Sequence, residues 1–558
     1  MKQHRGLASD MVVVKTISNK LGMGYGHIVL CSFFLALFDA FSISFVYVSL
    51  SKMMGGDSNL ITKFLDENIG VKAEVYFFVA CFSFLSRSLV MYFVERMMIC
   101  YSQCIQVVLR TKISEVFLKK GFVGQIHDIH DLLTRQVMQF GNVVVLSLLK
   151  IHSDFFAISI ILATSLILLP KETLIVFATI FVLVAVAYLI FSRTIRAKGA
   201  HTNELSARLS SLFDVIIRHQ KDIVTHSANS FFLHKIENRA KDVSENNEYA
   251  LCSAILIRYS VEILFGLGLV LVGALIVIGY LGKDEVPLIG TFLVIALRTL
   301  PVGYSFFQHM IRIKYAGASV EKIQEFLTSD EESSKDKNTA TINKSIPFNS
   351  LQVSNLSVSN SNQSLNRLKR LSFSIGMGDR LAIVGRSGVG KSTLINVLSG
   401  FIPFEEGKIE WEFGGEKYSA LEVQAKISMV SQTPLVLEGT ISENICLGTA
   451  YNESLLIAVI EKLDLASSFK LNSKELLNYS VEDAGINVSG GQRYKIAIAR
   501  ALYHQNDVLI FDEPTAALDE SSRTELINLF KSLAGDVSII VVTHDEMLEK
   551  SFNKVIKL

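Results

Sequence analysis

Before about residue 310 the chain is organised around long apolar runs, and no other feature limits its fold so strongly. A run of about 20 apolar residues can satisfy its backbone inside a bilayer only as a helix. Six spans are expected: Ile28–Leu50, Val75–Val94, Gly141–Leu169, Thr173–Phe191, Ile263–Leu281 and Pro287–Met310. Lys150, His152 and Asp154 sit inside the third, which restricts its lipid-facing part to Phe155–Leu169. These runs account for a mean hydropathy of +0.39 and a charged fraction of 19%, below the quarter usual for soluble domains. Intrinsic disorder, collagen-like and disulfide-scaffold classes are excluded. The 54 basic and 53 acidic residues balance to a net charge of +1, which argues against a nucleic-acid partner held by bulk electrostatics. The six cysteines are scattered without CxxC spacing and read as free thiols.

Basic residues orient the spans. Between spans two and three lie Arg96, Arg110, Lys112, Lys119, Lys120 and Arg135, and between four and five a longer series from Arg193 to Arg258. The opposite side carries Lys52, Lys63 and Lys72, then only Lys171 and Lys283 in two short turns. A multi-pass protein with both termini in the cytoplasm is expected. Two long connections of helical character project inward. In the first outer loop, Asp57–Ile69 puts Leu60, Ile61, Phe64 and Leu65 on one face, as in an interfacial helix.

Residues 329–347 read as a polar linker, from the aperiodic run Ser329–Ser345, separating a membrane domain over 1–328 from a soluble domain over 348–558. Within the latter, β-branched runs at Arg380–Val384, Val508–Phe511 and Val537–Val542 alternate with helical segments, the pattern of a largely parallel α/β sheet. The first of these strands leads into Gly385-Arg-Ser387-Gly388-Val-Gly390-Lys391-Ser392-Thr393 and then a helix, a P-loop in its required setting. Its glycines let backbone N–H groups converge on phosphate oxygens at a helix N-terminus. Lys391 is expected to reach the β- and γ-phosphates, and Ser392 to ligate Mg²⁺. Asp512, at the end of Val508–Phe511, would hold Mg²⁺ through water. Glu513 is placed to orient and deprotonate an attacking water.

Further motifs narrow the class. Val488-Ser489-Gly490-Gly491-Gln492 resembles the signature loop of ATP-binding cassette (ABC) proteins, Gln432 resembles their Q-loop glutamine, His544 their switch histidine, and Ala517-Leu518-Asp519 their D-loop. All stand in that family's order. The resemblance implies ATP and Mg²⁺ as ligands, with Gln432 joining Ser392 and Asp512 at the metal. It implies catalysis by Glu513, His544 and Gln432, and a second half, most simply another copy although a different half is an alternative. Two cassettes would close head to tail, each ATP lying between one P-loop and the opposite Ser489 and Gly491. The chain departs from the family pattern at Leu356–Asn360, where no aromatic side chain stands to stack on adenine, which predicts weakened ATP affinity or relaxed base choice. Val488 replaces a leucine, and Asp483 stands where glutamate is common.

Six spans with two inward connections fused before one cassette resemble a bacterial ABC exporter half of the type IV fold: a membrane α-helical bundle followed by an α/β P-loop NTPase cassette. The resemblance implies the bacterial inner membrane and coupling helices near Ile126–Leu133 and Val215–Thr225. His127 and His130 read as surface residues of the first. Asp39, Arg87 and Arg298 fall near the bilayer midplane, where ionisable groups are costly and face the bundle interior. Two readings stay open: an ion pair tethering helices, or a cavity with surplus positive charge for an anionic head group. Ala296-Leu-Arg298-Thr-Leu-Pro301 and Phe38–Ser44 look like segments of bacterial flippases of lipid-linked oligosaccharides, with peptide or other lipid exporters as the alternative.

Overall fold

The computed structural model describes residues 25–53, 73–120, 126–168, 198, 201–278, 286–334, 346–358, 368–386, 388–402, 404–419, 427–482, 485–515, 520–533, 535 and 537–558. The expected span Thr173–Phe191, the segment Asp57–Ile69, Asn360, Ser387, Asp483 and residues 517–519 lie outside them. The chain divides into two compact units, with the division between Ser333 and Ser334.

In the first unit, α1 (Tyr25–Met53) and α2 (Ala73–Lys120) precede a short α3 (Ile126–Asp131), which runs through two π-helical segments, Leu132–Gln136 and Phe140–Val145, into α4 (Leu146–Leu168). A helix over 201–218 leads to α5 (Gln220–Thr225), α6 (Asn229–Val277) and α7 (Val286–Ser334). Three described helical stretches, Tyr25–Val46, Phe77–Leu118 and Ile129–Ile167, are long and apolar enough to cross a membrane. The fifth expected span lies in α6 as far as Val277, and the sixth falls within α7. The core follows helical spacing: Val94, Met98, Tyr101, Ile105, Leu109 and Ile113 of α2 pack with Phe140, Val144, Leu148 and Leu149, and with Ile313, Ala316, Val320 and Ile323 of α7. Phe77, Phe78, Phe82, Leu85 and Leu89 face outward from α2.

Two expectations need correction. Helix α7 continues to Ser334, so the first six residues of the expected linker are helical: the charged run 329–334 extends an existing helix and needs no apolar face of its own. The second coupling segment is shorter than Val215–Thr225, because residues 215–218 still belong to the preceding helix and α5 begins at Gln220.

Among its described residues the second unit has two larger sheets and a small two-stranded one. Strands β1 (Phe348–Val358), β2 (Leu368–Gly376), β4 (Glu406–Phe413) and β5 (Glu416–Tyr418) form an antiparallel sheet in the order β2-β1-β4-β5. The parallel sheet has the order β11-β3-β10-β9-β6, from Lys554–Lys557, Arg380–Val384, Ser538–Thr543, Val508–Asp512 and Ile427–Val430. Gly439–Thr440 (β7) pairs with Ser480–Val481 (β8). The three central parallel strands, β3, β10 and β9, are buried on both faces, and their alternate residues divide between two cores. Leu381, Ile383, Val508, Ile510, Ile540 and Val542 pack with Trp411 and Phe413 of the antiparallel sheet and with Leu394 and Leu398 of α8 (Lys391–Leu398). Leu509, Phe511, Ile539 and Val541 pack on the opposite face with Ile496 and Ile498 of α9 (Gly490–Tyr503) and Phe530 of α10 (Glu520–Ser532).

Candidate active site

Parallel register brings the expected chemistry together. Thr543 pairs with Val384, Val542 with Asp512, and Val430 with Phe511, so β3, β10, β9 and β6 end nearly level. Ligands of open parallel sheets bind at this carboxyl edge. The P-loop leaves β3, Asp512 and Glu513 end β9, His544 follows β10 and Gln432 follows β6. Gly388 and Gly390 have φ of +83° and +111°, which a side chain would resist, and Gly390 caps α8. Glu513 is itself left-handed at φ +47°, held there as its N–H donates to the Val542 carbonyl at 3.0 Å. A non-glycine residue in that region is strained by about 1–3 kcal/mol, a cost concentrated at working sites.

The buried Lys391 ammonium donates to the Gly385 carbonyl at 2.8 Å and lies 2.5 Å from Nε2 of His544 and 4.0 Å from Oε1 of Glu513. The His544 nitrogen is 3.1 Å from the same Glu513 oxygen. Burial pushes the Lys391 ammonium below its ordinary range, against the opposing pull of Glu513 and Asp512. Burial also raises the Asp512 carboxyl, with the Glu513 charge adding to it, although Ser392 and Lys391 act the other way. Ser392 Oγ stands 3.5 Å from Asp512 Oδ1. A hydroxyl and a carboxylate this close, with the exposed Gln432 amide on the adjoining loop, make the hard-oxygen donor set that suits Mg²⁺. A cavity of about 500 Å³ opens beside Glu513 and His544, bounded also by Thr515, Arg523 and Asp545.

The signature residues begin a helix, as their sequence requires. Ser489 caps α9, its side chain accepting from the Gln492 N–H while Gln492 accepts from the Ser489 N–H, a complete capping box. Gln492 also donates to the Ser468 carbonyl at 2.7 Å, which ties it into its own chain. Ser489 and Gly490 are exposed and Gly491 half-buried. One residue that sequence reasoning missed is Tyr494, whose hydroxyl donates to the carbonyls of Ser431 and Gln432 at 3.2 Å each. Its periodicity in α9 marks it only as core.

In the membrane unit the three expected charges meet. Arg87 Nε is 2.5 Å and Arg298 Nη1 3.7 Å from Asp39 Oδ1, and the Asp39 side chain is 1% exposed. The Arg298 guanidinium lies 4.1 Å from the Phe84 ring centroid. One carboxylate faces two guanidinium groups. A second polar group joins Lys150 to Glu95, and His309 to Ser147 at 2.9 Å.

Residues 368–516 match the family described as ABC transporter, so the second unit carries an ABC transporter domain. The chain is 29% identical over 356 residues to the glutathione/L-cysteine transport system ATP-binding/permease protein CydD of Haemophilus influenzae, covering 61% of this chain and 58% of that one. It is 33% identical over 222 residues to an ATP-dependent lipid A-core flippase of Photobacterium profundum, covering 39% and 37%. The chain thus spans less than two thirds of the length of either relative. A solved structure of a bacterial Atm1-family ABC exporter with ATP bound superposes with a TM-score of 0.69 over 97% of this chain and 94% of that one, at 18% identity. The fold is that of an ABC exporter.

Proposed function

We propose that this chain is one half of a dimeric, ATP-driven exporter or flippase of a bacterial inner membrane, moving an amphipathic anionic lipid, with lipid-linked oligosaccharide as the substrate class. The observation that carries the reading is the convergence of Lys391, Asp512, Glu513 and His544 on one strand edge behind a P-loop. ATP lies with its phosphates on the P-loop amides and the N-terminus of α8. Lys391 exchanges its contacts with Gly385 and His544 for the β- and γ-phosphates. Ser392, Asp512 and Gln432 would hold Mg²⁺, which would supply neutralisation of the phosphate charge. Glu513 accepts a proton from a water whose oxygen attacks the γ-phosphorus, and the bond from that phosphorus to the oxygen bridging it to the β-phosphate breaks. His544 holds the γ-phosphate through the step, and ADP and phosphate leave. Ser489 and Gly491 of the second copy close over the same phosphate, so that binding draws two halves together and hydrolysis frees them.

The excess of one positive charge at Asp39, Arg87 and Arg298 supports an anionic head group. The alignment with CydD is longer than the cassette and favours a second reading, a small anionic peptide as cargo. Stimulation of ATPase in proteoliposomes decides between them, with undecaprenyl-pyrophosphate sugars, lipid A, glutathione and cyclic peptides compared. Arg298→Gln should abolish stimulation while assembly and basal turnover stay normal. Unchanged stimulation would reduce the cluster to a helix tether.

A further inference from the structure

We propose that the Tyr494 hydroxyl is a positioning group that fastens the loop carrying Gln432 to the signature helix, and so sets where Gln432 meets the nucleotide's metal. The inference deepens the ATPase reading and rests on it for the roles of Ser489, Gly491 and Gln432.

Among the described residues, strand β6 lies at the edge of the parallel sheet and pairs with β9 alone, and its ladder ends at Val430. The carbonyls of Ser431 and Gln432 therefore fall just past the last ladder pair. Tyr494, 4% exposed, reaches both from α9, one phenol proton shared between two acceptors at 3.2 Å. The Ser431 hydroxyl is committed elsewhere, donating to the Thr433 carbonyl at 2.8 Å. Helix α9 is the same rigid element whose first turn presents Ser489, Gly490 and Gly491. A phosphate engaged at that turn and a metal engaged at Gln432 thus act on one helix, with Tyr494 as the junction.

Tyr494→Phe keeps the ring and removes the two hydrogen bonds. In the full chain in lipid nanodiscs without nucleotide, amide exchange over 431–437 should quicken about five-fold, the population change one ordinary hydrogen bond supports. Exchange in β9 should not change. The Mg²⁺ concentration needed for half-maximal binding of a fluorescent ATP analogue should rise by a similar factor, with the turnover rate at saturating Mg²⁺ little altered. In a Gln432→Ala background Tyr494→Phe should add nothing to the Mg²⁺ requirement. Unchanged exchange at 431–437, an unchanged Mg²⁺ requirement, or an additive double variant would each overturn the proposal. The exchange readout needs no turnover. Wild-type protein that binds the analogue but hydrolyses no ATP would sink the ATPase reading and leave the junction still decided.

Discussion

Nζ of Lys391 lies 2.5 Å from Nε2 of His544, two residues 153 positions apart that both belong to the γ-phosphate in the mechanism above. The same imidazole nitrogen faces Glu513 Oε1 at 3.1 Å. One ring nitrogen cannot accept from an ammonium and donate to a carboxylate at once. The two contacts are alternatives, and under the proposed mechanism a phosphate entering between them would remove the choice by engaging lysine and histidine together.

His544→Ala should therefore leave binding of ATP intact, since the histidine competes for Lys391 before it helps. Hydrolysis should fall at least about 10²-fold, the lower end of what a positioned polar group contributes. Equilibrium binding of a fluorescent ATP analogue beside phosphate release measures the two separately. Loss of binding in step with turnover would show that the contact serves only to build the site.

Asp512→Asn should raise the thermal stability of the nucleotide-free protein while eliminating hydrolysis. Burial raises the Asp512 carboxyl, so the folded chain holds this proton more tightly than the unfolded one. Its contribution favours folding below the ordinary carboxylate range and is lost as pH rises through the raised value. Asparagine is neutral throughout, so its advantage in Tm should appear at pH 7 and vanish near pH 4. Melting curves at both values test this, and a lower Tm at pH 7 would contradict it.

Gly141 sits in the second π-helical segment with Gln106 packed on its backbone, where a Cβ would collide with the Gln106 side chain. Its carbonyl accepts from Ser102 Oγ at 2.8 Å, and Asn142 Oδ1 accepts from Gln103 and Gln106 at 2.9 Å each. Gly141→Ala should cost about 1–3 kcal/mol, as overpacking does. Gln106→Ala in the same chain should recover most of it. Melting of the detergent-solubilised protein reports both, and a neutral Gly141→Ala would mean the segment relaxes freely.

Base choice follows from the stretch Leu356–Asn360, which offers no aromatic ring. Stacking is worth about 0.5–1.5 kcal/mol, so GTP should compete with ATP within roughly ten-fold. A strong ATP preference at low-micromolar affinity would show that another group grips adenine.

Much of the cassette was legible because its chemistry is punctual. Lys391, Asp512, Glu513 and His544 each follow a β-branched run, and parallel strands bring such ends level whatever lies between. The antiparallel sheet was not legible: β1, with Asn349, Ser350, Asn355 and Ser357 among its residues, lacks a clean apolar alternation and carries register shifts. The π-helical segments leave no composition signal, since one extra residue in a turn does not change which residues are apolar. Tyr494 was hidden for another reason. Its ring fits the buried stripe of α9, and only its hydroxyl has a second task. In the membrane half, Asp39, Arg87 and Arg298 stood out because charge inside an apolar run is rare, and their shared depth made pairing one of two readings, while their three-way approach shows only in the fold.

We propose that ATP hydrolysis at Glu513 drives vectorial movement through the membrane unit. The most direct test is outward flipping of a fluorescent undecaprenyl-pyrophosphate sugar in sealed proteoliposomes, wild type against Glu513→Gln, with Mg²⁺ and ATP on the cassette side. Wild type should flip the sugar in an ATP-dependent way, and Glu513→Gln should flip about 10²–10⁴-fold more slowly, with ATP still bound. Flipping that continues undiminished in Glu513→Gln, as through a passive channel, would contradict it.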